Sequence, residues 1–191
     1  PVNARPAWLE RLYDLLFPTR CVGCGRLGPL LCDACRAGIE YAPAGVCARC
    51  GAALPRPGAG CPACRRRGSP VACYHAVAYS AGALRVAIHR FKYEGQTQLA
   101  APLGRLLADW WAQQPLQVEF VAPVPLHALR ERERGYNQAL LLCRQLSALA
   151  GVPCEERALV RSRHTRPQVG LSAAERRQNV AGAFAAVDGR L

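Results

Sequence analysis

Apolar positions along the chain switch between helical and strand spacings, and the switches mark the elements. Over residues 6–17, Trp8, Leu12, Leu15 and Leu16 share one helical face while Glu10, Arg11 and Asp14 lie elsewhere, which predicts an amphipathic helix ended by Pro18. Within residues 71–80, Tyr74, Ala76 and Ala78 alternate with His75, Val77 and Tyr79 and predict a strand. Residues 82–93 predict a helix with Leu84, Ile88 and Phe91 inward and Arg85, His89 and Lys92 outward, and a longer core helix follows over 98–113. The run Phe120, Val121, Ala122 predicts a buried strand over 118–122, which Pro123 and Pro125 end because they lack a donor N–H. A loop with His127, Arg130, Arg132 and Arg134 comes next, Gly135 sits at its junction with a helix over 136–150, and Gly151-Val-Pro153 turns the chain. Further strands are predicted over 156–160 and 180–187, with a hairpin-turn signal at Asp188-Gly189. Strands and helices in alternation make this part of the chain α/β.

The segment before the first strand carries a different signal. Four CxxC pairs, Cys21/Cys24, Cys32/Cys35, Cys47/Cys50 and Cys61/Cys64, follow one another. A two-residue spacer lets both sulfurs of a tight turn reach one tetrahedral metal, so eight cysteines fill two four-cysteine zinc sites. Cys24 and Cys50 each precede a glycine and Cys35 and Cys64 each precede an arginine, so the segment is an internal repeat of CxxCG and then CxxCR. The repeat argues for sequential sites, because interleaved pairs would close longer loops at greater entropic cost. With no open coordination position the zinc ions are structural, and each couples roughly 10–16 kcal/mol of binding to folding a segment too small for its own core. Disulfides and an iron–sulfur cluster are the alternatives; the first needs an oxidising compartment that nothing in the sequence indicates. Cys73, Cys143 and Cys154 fall outside the pattern, and Cys143 reads as a small buried hydrophobe.

Composition and charge narrow the partners. The 191 residues suffice for a small domain and an ordinary one, organised as a helix in 1–20, a double zinc ribbon in 21–68 and an α/β domain in 69–191, with RRRGSP at 65–70 as linker. No apolar run approaches the ~18 residues of a membrane span and no leader pattern opens the chain, which predicts a soluble, cytoplasmic protein. The lack of Met, with Pro at position 1, suggests that an initiator residue was removed or left out of the numbering. The formal net charge of +12 falls to about +8 once eight thiolates hold two zinc ions. That balance favours nucleic acid or phosphorylated small molecules, against the plainer reading of an Arg-rich composition with no specific ligand. Between 157 and 179, Arg157, Arg161, Arg163, Arg166, Arg176, Arg177 and His164 face a single acid, Glu175.

Two segments carry a family signature. Pro123-Val-Pro-Leu-His127, then Arg130, then Arg134-Gly-Tyr-Asn-Gln138 resembles the signature loop of the ComF family of phosphoribosyltransferase-like proteins. Arg161-Ser-Arg-His-Thr-Arg-Pro-Gln168, Gly170-Leu171, Glu175-Arg176 and Asn179-Val180 resemble its second signature, and the resemblance covers nearly all of residues 8–187. It implies a double zinc ribbon followed by a type I phosphoribosyltransferase-like α/β domain. In that fold the first segment stands where the pyrophosphate loop lies, and the second is a mobile hood that closes over substrate and supplies cations. The cofactor-binding residues so implied are Pro125, His127, Arg130, Arg134, Gly135 and Asn137 from the first, and Arg163, Thr165, Gln168 and Arg176 from the second. Arg65, Arg66, Arg67, Lys92, Arg161 and Arg166 are the candidate nucleic-acid contacts.

Three functions follow as alternatives. The family is associated with natural competence on the cytosolic side, beside a DNA-uptake helicase or another competence protein. The resemblance therefore implies a module that binds incoming single-stranded DNA and phosphoribosyl pyrophosphate or pyrophosphate. A transferase would instead move phosphoribose from phosphoribosyl pyrophosphate, with Mg2+, to a base or amine. For that, relatives use an apolar strand ending in two acids and a Thr-Thr-Gly type loop shortly after the turn at 188–189. Residues 1–191 carry neither, so the α/β domain reads as incomplete at its C-terminus, and no catalytic residue is assigned. The third alternative is a zinc-ribbon scaffold for protein partners with a vestigial transferase domain.

Overall fold

A computed structural model describes residues 18–41, 61, 77, 78, 80–113 and 117–187 of the chain. The expected helix over 6–17, most of the strand over 71–80, Cys47, Cys50 and Cys64, the linker arginines 65–67 and the turn at 188–189 lie outside the described residues. The chain divides into two compact units, Pro1–Val86 and Ala87–Leu191. Among the described residues no helix is long and apolar enough to cross a membrane.

The first unit is organised by short hydrogen bonds around its first cysteines. Arg20 and Leu27 form an antiparallel bridge, and the Cys21 N–H donates to the Arg26 carbonyl at 2.8 Å. Between them the Gly25 N–H turns back to the Cys21 carbonyl at 2.8 Å, with Gly25 at φ 75°, a left-handed conformation that costs a side-chain-bearing residue. The glycine after CxxC is thus explained by the turn it closes. Helix α1 (Asp33–Ala37) starts directly after Cys32, and Val22, Leu31, Ile39 and Cys61 are buried. Tyr41 and Ala78 form a further antiparallel bridge.

Helix α2 (Gly82–Tyr93) runs as the periodicity predicts, with Leu84, Ala87 and Phe91 buried and Arg85 and His89 exposed. In the second unit a 3-10 turn (Thr97–Leu99) leads into α3 (Ala100–Gln113), whose buried positions Leu103 and Leu106 recur one face at a time. Residues 128–134, expected as a loop, form helix α4 (Ala128–Arg134). Its Ala, Leu, Arg and Glu residues are strong helix formers, and Arg130 pairs with Glu133 at 3.3 Å one turn on. Gly135, at φ 82°, ends it by donating to the Glu131 carbonyl. Helix α5 (Gln138–Ala150) packs on α3.

The expected strand over 118–122 contracts to one parallel bridge between Val121 and Cys154, with Val121 N–H to the Pro153 carbonyl and Glu155 N–H to the Val121 carbonyl, both 2.9 Å. Pro123 and Pro125 leave it no donors to extend. Strands β1 (Leu159–Arg161) and β2 (Phe184–Ala186) pair antiparallel, Val160 opposite Ala185. Residues 173–180 form helix α6 (Ala173–Val180), so β2 begins four residues later than expected. A capping box explains the difference: the Glu175 N–H donates to the Ser172 hydroxyl and the Ser172 N–H donates to the Glu175 carboxylate. Cys143 is buried and its sulfur lies 2.7 Å from that of Cys154; burial pushes the Cys143 thiol up to about 12.

Helices α3 and α5 approach closely at Gly104, where a Cβ would overlap the Gln145 side chain. Gly104→Ala is expected to cost about 1–3 kcal/mol, read as a lower denaturant midpoint with an unchanged slope. A midpoint equal to that of the parent would mean that the two helices are not packed at this point.

Candidate functional site: a cysteine cluster and a cationic cavity

Four ligand sulfurs converge in the first unit. The Sγ atoms of Cys21, Cys24, Cys32 and Cys35 all lie within 4.8 Å of one another, and those of Cys24 and Cys32 are 3.7 Å apart. With Zn–S bonds of about 2.3 Å a tetrahedral site has edges of roughly 3.8 Å, so the cluster is the size of one zinc site with four cysteine ligands. The ligands are two consecutive CxxC pairs, as the repeat predicts for the first of two sites.

The electrostatics of the bare thiols point the same way. Burial opposes ionisation of Cys21, yet the N–H groups of Cys32, Cys24 and Gly23 bring it down to about 6. The neighbouring Cys21 sulfur, then burial, then the Cys24 and Cys32 sulfurs push Cys35 up to about 12. Four thiolates this close need a cation among them, and a divalent metal removes the conflict. The Cys32 N–H already donates to the Cys21 sulfur at 3.4 Å, the kind of outer hydrogen bond that orients a ligating thiolate.

The second unit holds a cavity of about 520 Å3 built from both signature segments. Lys92 and Tyr93 come from the end of α2, His127, Arg130 and Arg134 from α4 and its N-cap, Gln138 from the start of α5, and Arg161, His164, Thr165, Arg166 and Gln168 from β1 and the segment beyond it. Among the described residues, five cationic side chains and two imidazoles line it and no carboxylate does, although Glu133 lines a smaller adjoining cavity that shares Lys92, Tyr93, Arg130 and Arg134. Glu133 and Glu175 each reach one of these arginines from outside the lining, Glu133 to Arg130 at 3.3 Å and Glu175 to Arg166 at 3.5 Å. The Glu175 carboxyl lies below the usual range because the Ser172 N–H and hydroxyl donate to it, with Arg166 contributing less.

Individual contacts fix the lining. The Nδ1 of His127 accepts from the Leu129 N–H at 3.3 Å, which leaves Nε2–H of the neutral ring as a donor. The His127 and His164 rings meet edge to face, centroids 5.1 Å apart. Arg134 donates to Gln138 at 2.6 Å, and Arg161 donates to the buried Thr165 hydroxyl. The Arg161 Nε is buried with no hydrogen-bond partner, an arrangement that an added acceptor would relieve.

The implied ligand-binding residues therefore divide. His127, Arg130, Arg134, Thr165 and Gln168 line the cavity, as do Lys92, Arg161 and Arg166 from the nucleic-acid group. Pro125, Gly135, Asn137, Arg163 and Arg176 are outside its lining. Asn137 is buried and caps α5, accepting from the Ala139 N–H at 2.9 Å and donating to the Val124 carbonyl at 3.2 Å. Arg163 donates to the carbonyls of Asn179 and Ala181 and holds the end of α6. Arg176 is exposed on α6, and Arg65, Arg66 and Arg67 lie outside the described residues. Tyr93, His164 and Gln138 are lining residues that sequence reasoning did not select.

Comparisons with known proteins give both units relatives. Residues 12–65 match the family model of the double zinc ribbon domain. Over 177 residues the chain is 34% identical to "Competence protein F" of Haemophilus influenzae, covering 88% of this chain and 76% of the relative. It is 30% identical over 178 residues to "DNA utilization protein YhgH" of Escherichia coli (strain K12), covering 82% and 77%, and 28% identical over 159 residues to the protein of that name in Salmonella typhimurium, covering 81% and 70%. No solved structure matches the chain.

The cluster geometry predicts that Cys24→Ser lowers the zinc content of the purified protein by one equivalent and raises amide exchange over residues 18–41. Unchanged zinc stoichiometry would remove Cys24 from the ligand set.

Proposed function

The chain belongs to the family of Competence protein F, and on that premise we propose that it handles single-stranded DNA during DNA uptake or utilisation, holding the strand by its phosphates in the cationic cavity. One observation carries the reading: Lys92, Arg130, Arg134, Arg161 and Arg166 surround a single cavity that no carboxylate lines among the described residues. Guanidinium groups meet phosphate oxygens as forks of two parallel N–H donors, and the His127 Nε2–H and the Thr165 hydroxyl add neutral donors beside them. Such a site takes phosphate regardless of what it is attached to.

Phosphoribosyl pyrophosphate and inorganic pyrophosphate share that chemistry and are proposed as ligands of the same cavity. Mg2+ would enter on the phosphates themselves, because the lining offers it no carboxylate. The proposal is confined to binding and includes no transfer step. The double zinc ribbon is proposed to be rigid through its metals and to carry further cationic contacts at Arg65, Arg66 and Arg67, beside a DNA-uptake helicase or another competence protein on the cytosolic side.

The replacement Arg130→Gln with Arg134→Gln tests this. It is expected to weaken an oligo-dT strand at least tenfold and to abolish its displacement by pyrophosphate with Mg2+, while zinc content stays unchanged. Parent-like binding with intact displacement would overturn the assignment of both ligands to this cavity.

A further inference from the structure

Tyr93 is 64% exposed, more than any other described Phe, Tyr or Trp. It is the last residue of α2 and lines the 520 Å3 cavity together with a smaller one of about 210 Å3; Lys92, Arg130 and Arg134 are common to both, and Glu133, paired with Arg130, lines the smaller. An aromatic ring shown to water at the meeting point of three cations is not explained by packing. Phosphate binding accounts for the hydroxyl, which can donate, but not for the exposed ring, because a pyrophosphate gains nothing from a phenol face.

The ring is nevertheless held in place. The Arg134 guanidinium carbon lies 5.4 Å from its centroid, and Arg134 is itself fixed by Gln138. His89, one helical turn earlier, sets its ring 5.1 Å away at a 49° tilt, with its Nδ1 3.2 Å from the Glu94 carboxylate. Holding a large planar side chain still while most of it faces solvent prepares a surface for another planar group. A nucleobase is the planar group that arrives attached to a phosphate.

We propose that Tyr93, with His89 and Arg134 beside it, is a stacking platform for one nucleobase at the rim of the phosphate cavity. The inference rests on the nucleic-acid reading above and sharpens it: the ligand is a nucleotide strand, held by a base plane as well as by phosphates, rather than a bare polyanion. Every base has a π face, so the platform is tolerant of sequence. Stacking of one base on an aromatic side chain is typically worth a roughly 5- to 150-fold change in affinity.

The test compares two oligonucleotides of equal length and charge, oligo-dT and an abasic strand, on the full zinc-loaded chain and on its Tyr93→Leu and Tyr93→Phe forms. Tyr93→Leu is expected to weaken oligo-dT roughly 5- to 150-fold, to leave abasic binding and the salt dependence of both strands as in the parent, and to be rescued by Tyr93→Phe. Equal losses on both strands, or a loss on neither, would overturn the platform while leaving the phosphate cavity standing. If the parent binds neither strand at low salt, the platform and the nucleic-acid reading fall together.

Discussion

Mutual repulsion among Lys92, Arg130, Arg134, Arg161 and Arg166 is the constraint around which the second unit is arranged. Five cations around one cavity raise its free energy, and the fold lessens this by short local contacts rather than by filling the cavity with acids. Arg130 and Arg166 lean on Glu133 and Glu175, Arg134 on Gln138, and Arg161 on Thr165. Most of these partners sit on the helices that position the cations, so α4, α5 and α6 are held partly by the same bonds that aim the site. What the fold leaves is a preplaced positive field with one buried donor, the Arg161 Nε, still unpaired. An anion completes such an arrangement without reorganisation, which is the condition for strong electrostatic binding.

The two units solve their stability problems differently. Around the first four cysteines the order comes from sulfurs spaced for a tetrahedral metal and from the left-handed turn at Gly25, beside the buried side chains of Val22, Leu31 and Ile39. The second unit relies on apolar packing, with Phe91 and Leu99 fully buried and α3 meeting α5 where a glycine removes the side chain between them. Metal removal should therefore act on the first unit and core substitution on the second.

Much of this was legible in the sequence, and the exceptions have identifiable causes. The cysteine spacing anticipated the convergence of Cys21, Cys24, Cys32 and Cys35, because a two-residue spacer has few other uses in series. The helix over 82–93 followed from a clean apolar face. Helix α4 was hidden because ALRERER has no apolar stripe, although its propensities and the glycine after it pointed to a short helix. The start of α6 is encoded as Ser172-x-x-Glu175, a capping signal obscured by the arginines around it. Motif membership also blurred two kinds of residue: Asn137 and Gly135 serve helix ends, and Arg163 binds backbone carbonyls, while Arg134 and Thr165 of the same segments line the cavity. Tyr93 is not legible as a site residue in the sequence, because an aromatic at the end of an amphipathic helix has the pattern of packing and only its exposure distinguishes it.

Phosphates meeting those cations are the central requirement of the site, and counterion release counts the phosphates neutralised. The affinity of the zinc-loaded chain for a single-stranded oligonucleotide should be followed over a range of salt concentrations. Each phosphate neutralised adds roughly −0.7 to the log–log slope for single strands, so a clearly negative slope is predicted, reaching about −3.5 where each of the five cations meets its own phosphate. A slope near zero, or no binding at low salt, would contradict the claim that the cavity is a phosphate cleft for a nucleic-acid strand.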